Sequence, residues 1–394
     1  MIVRRGSGFI FLFAIGLLAA AYVVGSRLGY VERLQARFFP RLPRGARLSS
    51  GDFPAGVAAP MGELASVPLR PTVIGFTPRG SSAAILLATG GVRSAALDSR
   101  ERVAEGLLKV AYSMDAKATV FAREEELRKA LAFGAETGGV DMAAVSVDRL
   151  AQWWTLLRDA APRTLILLGR SHGQEALAAV GIQHLSELRG KRIASYPQSS
   201  AHYFALWALS RAGISMQEVK FVELNSSLDA GSALREGRAD AAAGFLADLE
   251  LAARDRGGKV LATTADAPHL VSTVLVTRGD FVARYPGAVR RIVRGLLDAG
   301  AAVRRDSTEG ARLLGELAPY LGDPSEAIRS APPADLKENL AFFGLSGESP
   351  VTYDELFQSA AALFMKIGKT GSVPSAEDTR DLGALRYVFE ARRP

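Results

Sequence analysis

The residues in this chain best suited to chemistry are two adjacent hydroxyls, Ser199 and Ser200, set between a strand-like run and a helix. Lys191 to Ser195 is a compact, apolar-flanked run, Pro197 breaks it, and Ser199 and Ser200 are good N-cap types. Behind them Phe204, Trp207, Ala208 and Ala212 recur at helical spacing, and Gly213 stops the helix. Such a helix start points unpaired backbone N–H groups and hydroxyls at whatever sits above it, an arrangement that suits an oxyanion or a carboxylate. An ordinary capped helix after a strand has the same local features, and both readings stay open at this point.

Several other chemistries are excluded or left without residues to perform them. The chain has no cysteine, so disulfides, thiolate metal sites, thiol nucleophiles and an N-terminal lipid-modified Cys are ruled out. His172, His184, His202 and His269 show no paired metal spacing. No G-x-S-x-G elbow, P-loop or dinucleotide fingerprint follows a strand, and Gly138-Gly139 is more simply a turn. The acidic pair Glu124–Glu125 reads as part of a solvated helix face. No catalytic residue, metal site or cofactor is therefore expected.

The elements that must position these residues occupy a chain of 394 residues, long enough for one large or two medium domains. The net charge of +7 and isoelectric point near 9.7 do not point to nucleic acid, because no long Lys/Arg run is interleaved with aromatics. Residues 1–7 read as a short cytoplasmic tail. Gly8 to Gly25 carries no charge, follows Arg4 and Arg5, and just reaches across a hydrocarbon core as a helix. It is read as a single-pass inner-membrane anchor, with a signal-peptide core as the alternative. The arginine count on either side opposes export, but long domains translocate largely regardless of it, so the domain is placed on the periplasmic side. Residues 26–70, rich in Pro, Gly and Arg, read as a tether.

After Pro71, short apolar runs alternate with helices, the signature of an α/β fold. Candidate strands are Thr72–Phe76, Ala84–Leu87, Ala118–Phe121, Met142–Val145 and Thr164–Leu168. Helices are expected at Glu101–Tyr112, Glu124–Phe133 and Asp148–Leu157, and the chain turns mostly helical beyond Asp280. One internal echo stands out. ALAFGAETGGVDMAAVS from Ala130 resembles ALREGRADAAAGF from Ala233, each a helix end, a glycine-bearing turn, an Asp and a small-residue strand. Two copies about a hundred residues apart imply two similar α/β lobes.

These segments together resemble the nitrate/sulfonate/taurine/thiamine-precursor family of ABC-transporter substrate-binding proteins. The matching pieces run in family order over about Pro71 to Ala391: the Gly139-Val140-Asp141 turn, LSELRGKRIA from Leu185, SSAHYFALWALSRAGI from Ser199, VKFVEL from Val219, ALREGRADAA, FVARYPGAVRRIVRGLLDA from Phe281 and LFMKIGKTGSVP. The resemblance implies a type II periplasmic-binding-protein fold, with 71–168 plus 272–394 as lobe one, 169–271 as lobe two, and ligand in the cleft between them. Carried over residue by residue, it implies ligand contacts from Ser199, Ser200 and His202 at the lobe-two helix start. It also implies contacts from Gly244, Phe245 and Ser146 after the echo strands, from Thr89 and Gly90 in a first-lobe loop, and from Ser171 and His172 past the crossing strand. Three departures fall in these loops: Gln198 replaces the usual Gly before the hydroxyls, Phe245-Leu246-Ala247 replaces an aromatic-plus-Pro, and Ser81–Arg100 is long.

The function implied is a membrane-tethered solute-binding protein that delivers a small anionic or zwitterionic solute to an ABC permease. The alternative is a tethered ligand sensor or envelope-assembly domain without transport. Enzymes exist on this fold, but the pyrimidine-forming branch needs a Cys-rich motif that this chain cannot have.

Overall fold

The structure is a computed structural model that describes residues 66–92 and 105–391. The expected anchor at 8–25 and most of the tether lie outside these residues. Among the described residues, no helix is long and apolar enough to cross a membrane.

The described chain builds two five-stranded sheets. The first contains β1 (Thr72–Phe76), β2 (Ala116–Val120), β3 (Met142–Ser146), β4 (Arg163–Arg170) and, from far along the chain, β10 (Ser272–Thr277). The second contains β5 (Glu175–Ala179), β6 (Arg192–Ser195), β7 (Lys220–Glu223), β8 (Ala241–Phe245) and β9 (Lys259–Thr263). Their strand orders are β2-β1-β3-β10-β4 and β7-β6-β8-β5-β9. In the first, β1 runs parallel to β2 and β3 while β10 is antiparallel to β3 and β4. In the second, β6 runs parallel to β7 and β8 while β5 is antiparallel to β8 and β9. The two sheets therefore share one topology, and the chain passes between them twice, after β4 and after β9.

In chain order the helices are α1 (Ser82–Thr89), α2 (Leu107–Tyr112), α3 (Glu124–Phe133), α4 (Val147–Trp153), α5 (Ser200–Arg211), α6 (Ala230–Arg235) and α7 (Leu246–Asp255). The C-terminal part adds α8 (Gly279–Arg284), α9 (Pro286–Arg305), α10 (Thr308–Leu317), α11 (Pro324–Ser330), α12 (Leu336–Phe342), α13 (Tyr353–Lys366) and α14 (Gly383–Glu390). As expected, the chain beyond Asp280 is helical, and it packs back onto the first sheet, α9 against α1 and α13 against α4.

Alternation along the strands explains why the second sheet is covered on both faces. Leu177 and Ala179 enter one apolar cluster with Phe204 of α5, while Ala176 and Ala178 enter another with Leu249 of α7. The echo seen in the sequence is structural. Each copy is a helix, a left-handed glycine turn (Gly134 at φ 79°, Gly237 at φ 70°) and an inner strand, β3 or β8. Gly139 is fixed by close approach, since a Cβ there would lie 2.0 Å from the carbonyl oxygen of Ala130.

One element differs in type. The expected strand at Ala84–Leu87 is part of the helix α1, every residue of which is buried. A segment buried all round carries neither a period of 2 nor one of 3.6, so its pattern cannot separate strand from helix. Gly90 ends this helix in a left-handed conformation at φ 80°.

Candidate functional site

Between the two sheets lies a cleft lined from both sides by loops at the C-terminal ends of parallel strands, where open α/β sheets bind ligands. The first lobe contributes Arg79 from the turn between β1 and α1, Glu124 at the start of α3, and Ser146, the last residue of β3 and the N-cap of α4. The second contributes Ser199 and Ser200 at the start of α5, Ser227 in the turn after β7, Gly244 and Phe245 at the end of β8, and Glu175, the first residue of β5. Arg79, Glu124, Glu175, Ser199, Ser200, Ser227, Gly244 and Phe245 enclose a cavity of about 10 Å³, the room of a single water molecule.

Ser199 caps α5 as expected. Its Oγ accepts from the backbone N–H of His202 at 3.2 Å and donates to the carbonyl of Tyr196 at 2.7 Å. Ser200 is fully buried and meets the other lobe directly. Its Oγ lies 2.8 Å from Ser146 Oγ and accepts from Arg79 Nη2 at 3.2 Å. Gly244 allows the wall to form, because a Cβ there would sit 2.6 Å from that of Ala230. Phe245 packs its ring 5.6 Å from that of Tyr320 in the first lobe.

Three charged groups dominate the cleft. Arg79 forms an ion pair through Nη1 with Glu175 Oε1, across the cleft, and its Nη2 stands 3.9 Å from Glu124 Oε1. All three side chains are buried. Burial pulls the Arg79 guanidinium down, but the Glu175 and Glu124 carboxylates outweigh this and hold it above its ordinary value. Burial pushes the Glu124 carboxyl up, against the pull of Arg79. Glu124 is thus not on a solvated helix face. Its neighbours Glu125 and Glu126 are, but the first residue of α3 turns inward to the cleft.

Beside this cluster, α4 grips the loop that precedes α5. Arg149 Nη1 donates to the carbonyl of Pro197 at 3.0 Å, and Trp153 Nε1 donates to Gln198 Oε1 at 3.0 Å. The Gln198 that departs from the family's Gly has a physical role here, as an acceptor that ties one lobe to the other.

Five of the ten expected ligand residues sit elsewhere. His202 points away from the cleft. Its Nδ1 is 2.8 Å from Ser195 Oγ, its ring meets Phe221 edge-on, and burial drives its pKa down to about 3. Thr89 and Gly90 lie at the end of α1 opposite Arg79, and Thr89 Oγ1 donates to the carbonyl of Ile85 at 2.8 Å. The placement of these two followed the misread strand, since a helix carries its last residues away from the turn that starts it. His172 is exposed, and its backbone N–H donates to Ser330 at 2.6 Å. Ser171 belongs to the paired crossing segments: its N–H donates to Val271 at 2.9 Å, and its Oγ is 2.6 Å from Thr264 Oγ1. Ser199, Ser200, Gly244 and Phe245 line the cavity, and Ser146 contacts it through Ser200. Sequence reading missed Arg79, Glu175 and Ser227. The one local signal was Glu175, an acidic residue that opens an otherwise small and apolar strand, EALAA.

A family model described as NMT1/THI5 like matches residues 172–309. The structure resembles the periplasmic aliphatic sulphonate-binding protein SsuA of Escherichia coli at 17% identity and TM-score 0.60, over 80% of this chain and 92% of that one. It resembles the periplasmic nitrate-binding protein NrtA of Synechocystis PCC 6803 at 13% identity and TM-score 0.60, over 83% and 90%. A desulfurization enzyme, DSZB, shares the fold at 14% identity and TM-score 0.54, over 82% and 100%. A comparison with curated proteins finds no match. The chain has the two-sheet α/β fold of periplasmic binding proteins. Its resemblance to the sulfonate- and nitrate-binding group of ABC substrate-binding proteins, read first from the sequence, is borne out.

Proposed function

We propose that the chain is a solute-binding protein of the ABC import type, which captures a small anionic or zwitterionic solute between its lobes. The observation that carries this reading is the convergence of Arg79, Ser146, Ser199 and Ser200, from both lobes, on one point of the cleft. A guanidinium, a hydroxyl pair and the N-terminus of a twelve-residue helix are together suited to an oxyanion. Phe245 and Tyr320 offer an apolar wall for the remainder of the solute. The crossing segments at Ser171 and Thr264 act as the hinge, and closure presents both lobes to a permease. The charge-free segment at 8–25 holds the domain on the extracytoplasmic face of the membrane. Binding is favoured over an enzyme on this fold because, among the described residues, the partnered hydroxyls of the cleft face one another, Arg79 or a backbone carbonyl and not a base: Ser200 meets Ser146 and Arg79, and Ser199 donates to the carbonyl of Tyr196.

The test is thermal unfolding of the full chain against sulfonates, nitrate, bicarbonate, amino acids and pyrimidines. A ligand at a hundredfold excess over its Kd adds about 2.7 kcal/mol, a shift of several degrees. Ser200→Ala should remove the shift. A well-folded chain that responds to none of these classes would refute the reading, and recovery of a chemically altered ligand would favour the enzyme instead.

A further inference from the structure

The cavity is lined by two carboxylates and one guanidinium, and one of the carboxylates already occupies that guanidinium. The buried Asp148–Arg149 pair stands beside them, with Arg149 held to the carbonyl of Pro197. Glu175 is 1% exposed and takes Arg79 Nη1, while Arg79 Nη2 faces Ser200 and, at 3.9 Å, Glu124. An oxyanion that reaches for Arg79 therefore competes with Glu175. The displaced carboxylate would keep only the hydroxyl of Thr264, 3.4 Å from its Oε2. A charge left in the interior with so little compensation is strongly unfavourable.

Resting on the reading of this cleft as a solute site, we propose that Glu175 sets its specificity: it is an internal competitor that turns away simple anions and admits solutes bringing a cationic group for the displaced carboxylate. The lining supplies acceptors for that group once the lobes part beyond the present cavity of about 10 Å³. Glu175 and Glu124 flank Arg79 in the same cavity, one from each lobe. Ser227 Oγ, nine-tenths buried and without a hydrogen-bond partner among the described residues, lines the same cavity and offers a neutral acceptor beside them. The upward push of burial on Glu124 points the same way, because a cation placed there would relieve it. Neither glutamate is expressed in a local motif, so the selectivity belongs to the fold of this chain and not to the hydroxyl helix start.

Calorimetric titration of the full chain with matched pairs tests this: ethanesulfonate against 2-aminoethanesulfonate, and propionate against 3-aminopropionate. The aminated member of each pair should bind about 100-fold more tightly, as expected when a buried charge gains or lacks its partner. Glu175→Gln should shrink that ratio below about tenfold, mainly by tightening the plain anion. Should Glu175→Gln disturb folding, Glu124→Gln serves as the second variant, and it should weaken only the aminated members. Equal binding of plain and aminated anions by the unaltered chain overturns the proposal while leaving the solute-binding reading intact. An unchanged ratio in both variants does the same. Binding of none of the four compounds, with no response to the wider panel, overturns the solute-binding reading and this one with it.

Discussion

Removing Arg79 tests how the two lobes are joined. The substitution Arg79→Met keeps most of the side chain's volume and deletes the cation between two buried carboxylates. Breaking a buried ion pair from one side costs about 3–5 kcal/mol, because the partner keeps its desolvation penalty without its Coulombic gain. Removing both sides of the Arg79–Glu175 pair is far less harmful, so Arg79→Met with Glu175→Gln should recover most of the loss, the remainder being the cost of Glu124 left without its cation. Urea unfolding of the full chain at pH 7, with linear extrapolation to water, measures both variants.

The pH dependence gives an independent check on the same variant. In the unaltered chain burial holds the Glu124 carboxyl above its ordinary range, so the folded state binds its proton more tightly than the unfolded chain does. Stability from this group is complete below about pH 4.3, the unfolded value, and is lost as pH rises through the folded value. Arg79 opposes that upward shift, so its removal enlarges the loss. The penalty of Arg79→Met should therefore be smaller at pH 4.5 than at pH 7. A penalty under about 1 kcal/mol, or a double variant no more stable than the single one, would refute the claim that this pair is buried and joins the two lobes.

Three further perturbations follow from the geometry. Gly80→Ala would place a Cβ 1.9 Å from the carbonyl oxygen of Ala327, so the turn that presents Arg79 must shift; urea unfolding should show a loss above about 2 kcal/mol, with solute affinity falling alongside. His202 is held neutral, its pKa driven by burial down to about 3, below the unfolded value. Its contribution is complete above about pH 6.5 and is lost as pH falls toward the folded value; His202→Gln should flatten the decline in Tm between pH 6.5 and 4. Asn339 is fully buried, accepts from the N–H of Leu167 at 2.7 Å and donates to the carbonyls of Leu167 and Asp335. Asn339→Leu strands the N–H and carbonyl of Leu167 on β4 and should cost about 3–5 kcal/mol in the same urea assay.

What the sequence made legible follows the range of the interactions involved. The Ser199 cap was readable because an N-cap bond spans three residues and depends on one side-chain type. The paired α3–β3 and α6–β8 units were readable because a glycine turn between a helix and an inner strand imposes the same local constraint twice. The cleft charges were not. Arg79 and Glu175 meet across 96 positions of sequence, and nothing in Pro78-Arg79-Gly80 or Gln174-Glu175-Ala176 marks either as buried. Glu124 was hidden by its own neighbours, since three consecutive glutamates at a helix start satisfy the helix dipole whether or not the first of them turns inward. His202 misled in the opposite direction. It sits one turn from Ser199 in a stretch that does line the cleft, yet its ring serves the core behind the helix, against Ser195 and Phe221. On the proposed reading, a hydroxyl pair marks where a solute's oxyanion would rest, because that site is built from backbone and cap. Which solute it is depends on charges brought together by the sheets, and that information exists only once both lobes are folded against each other.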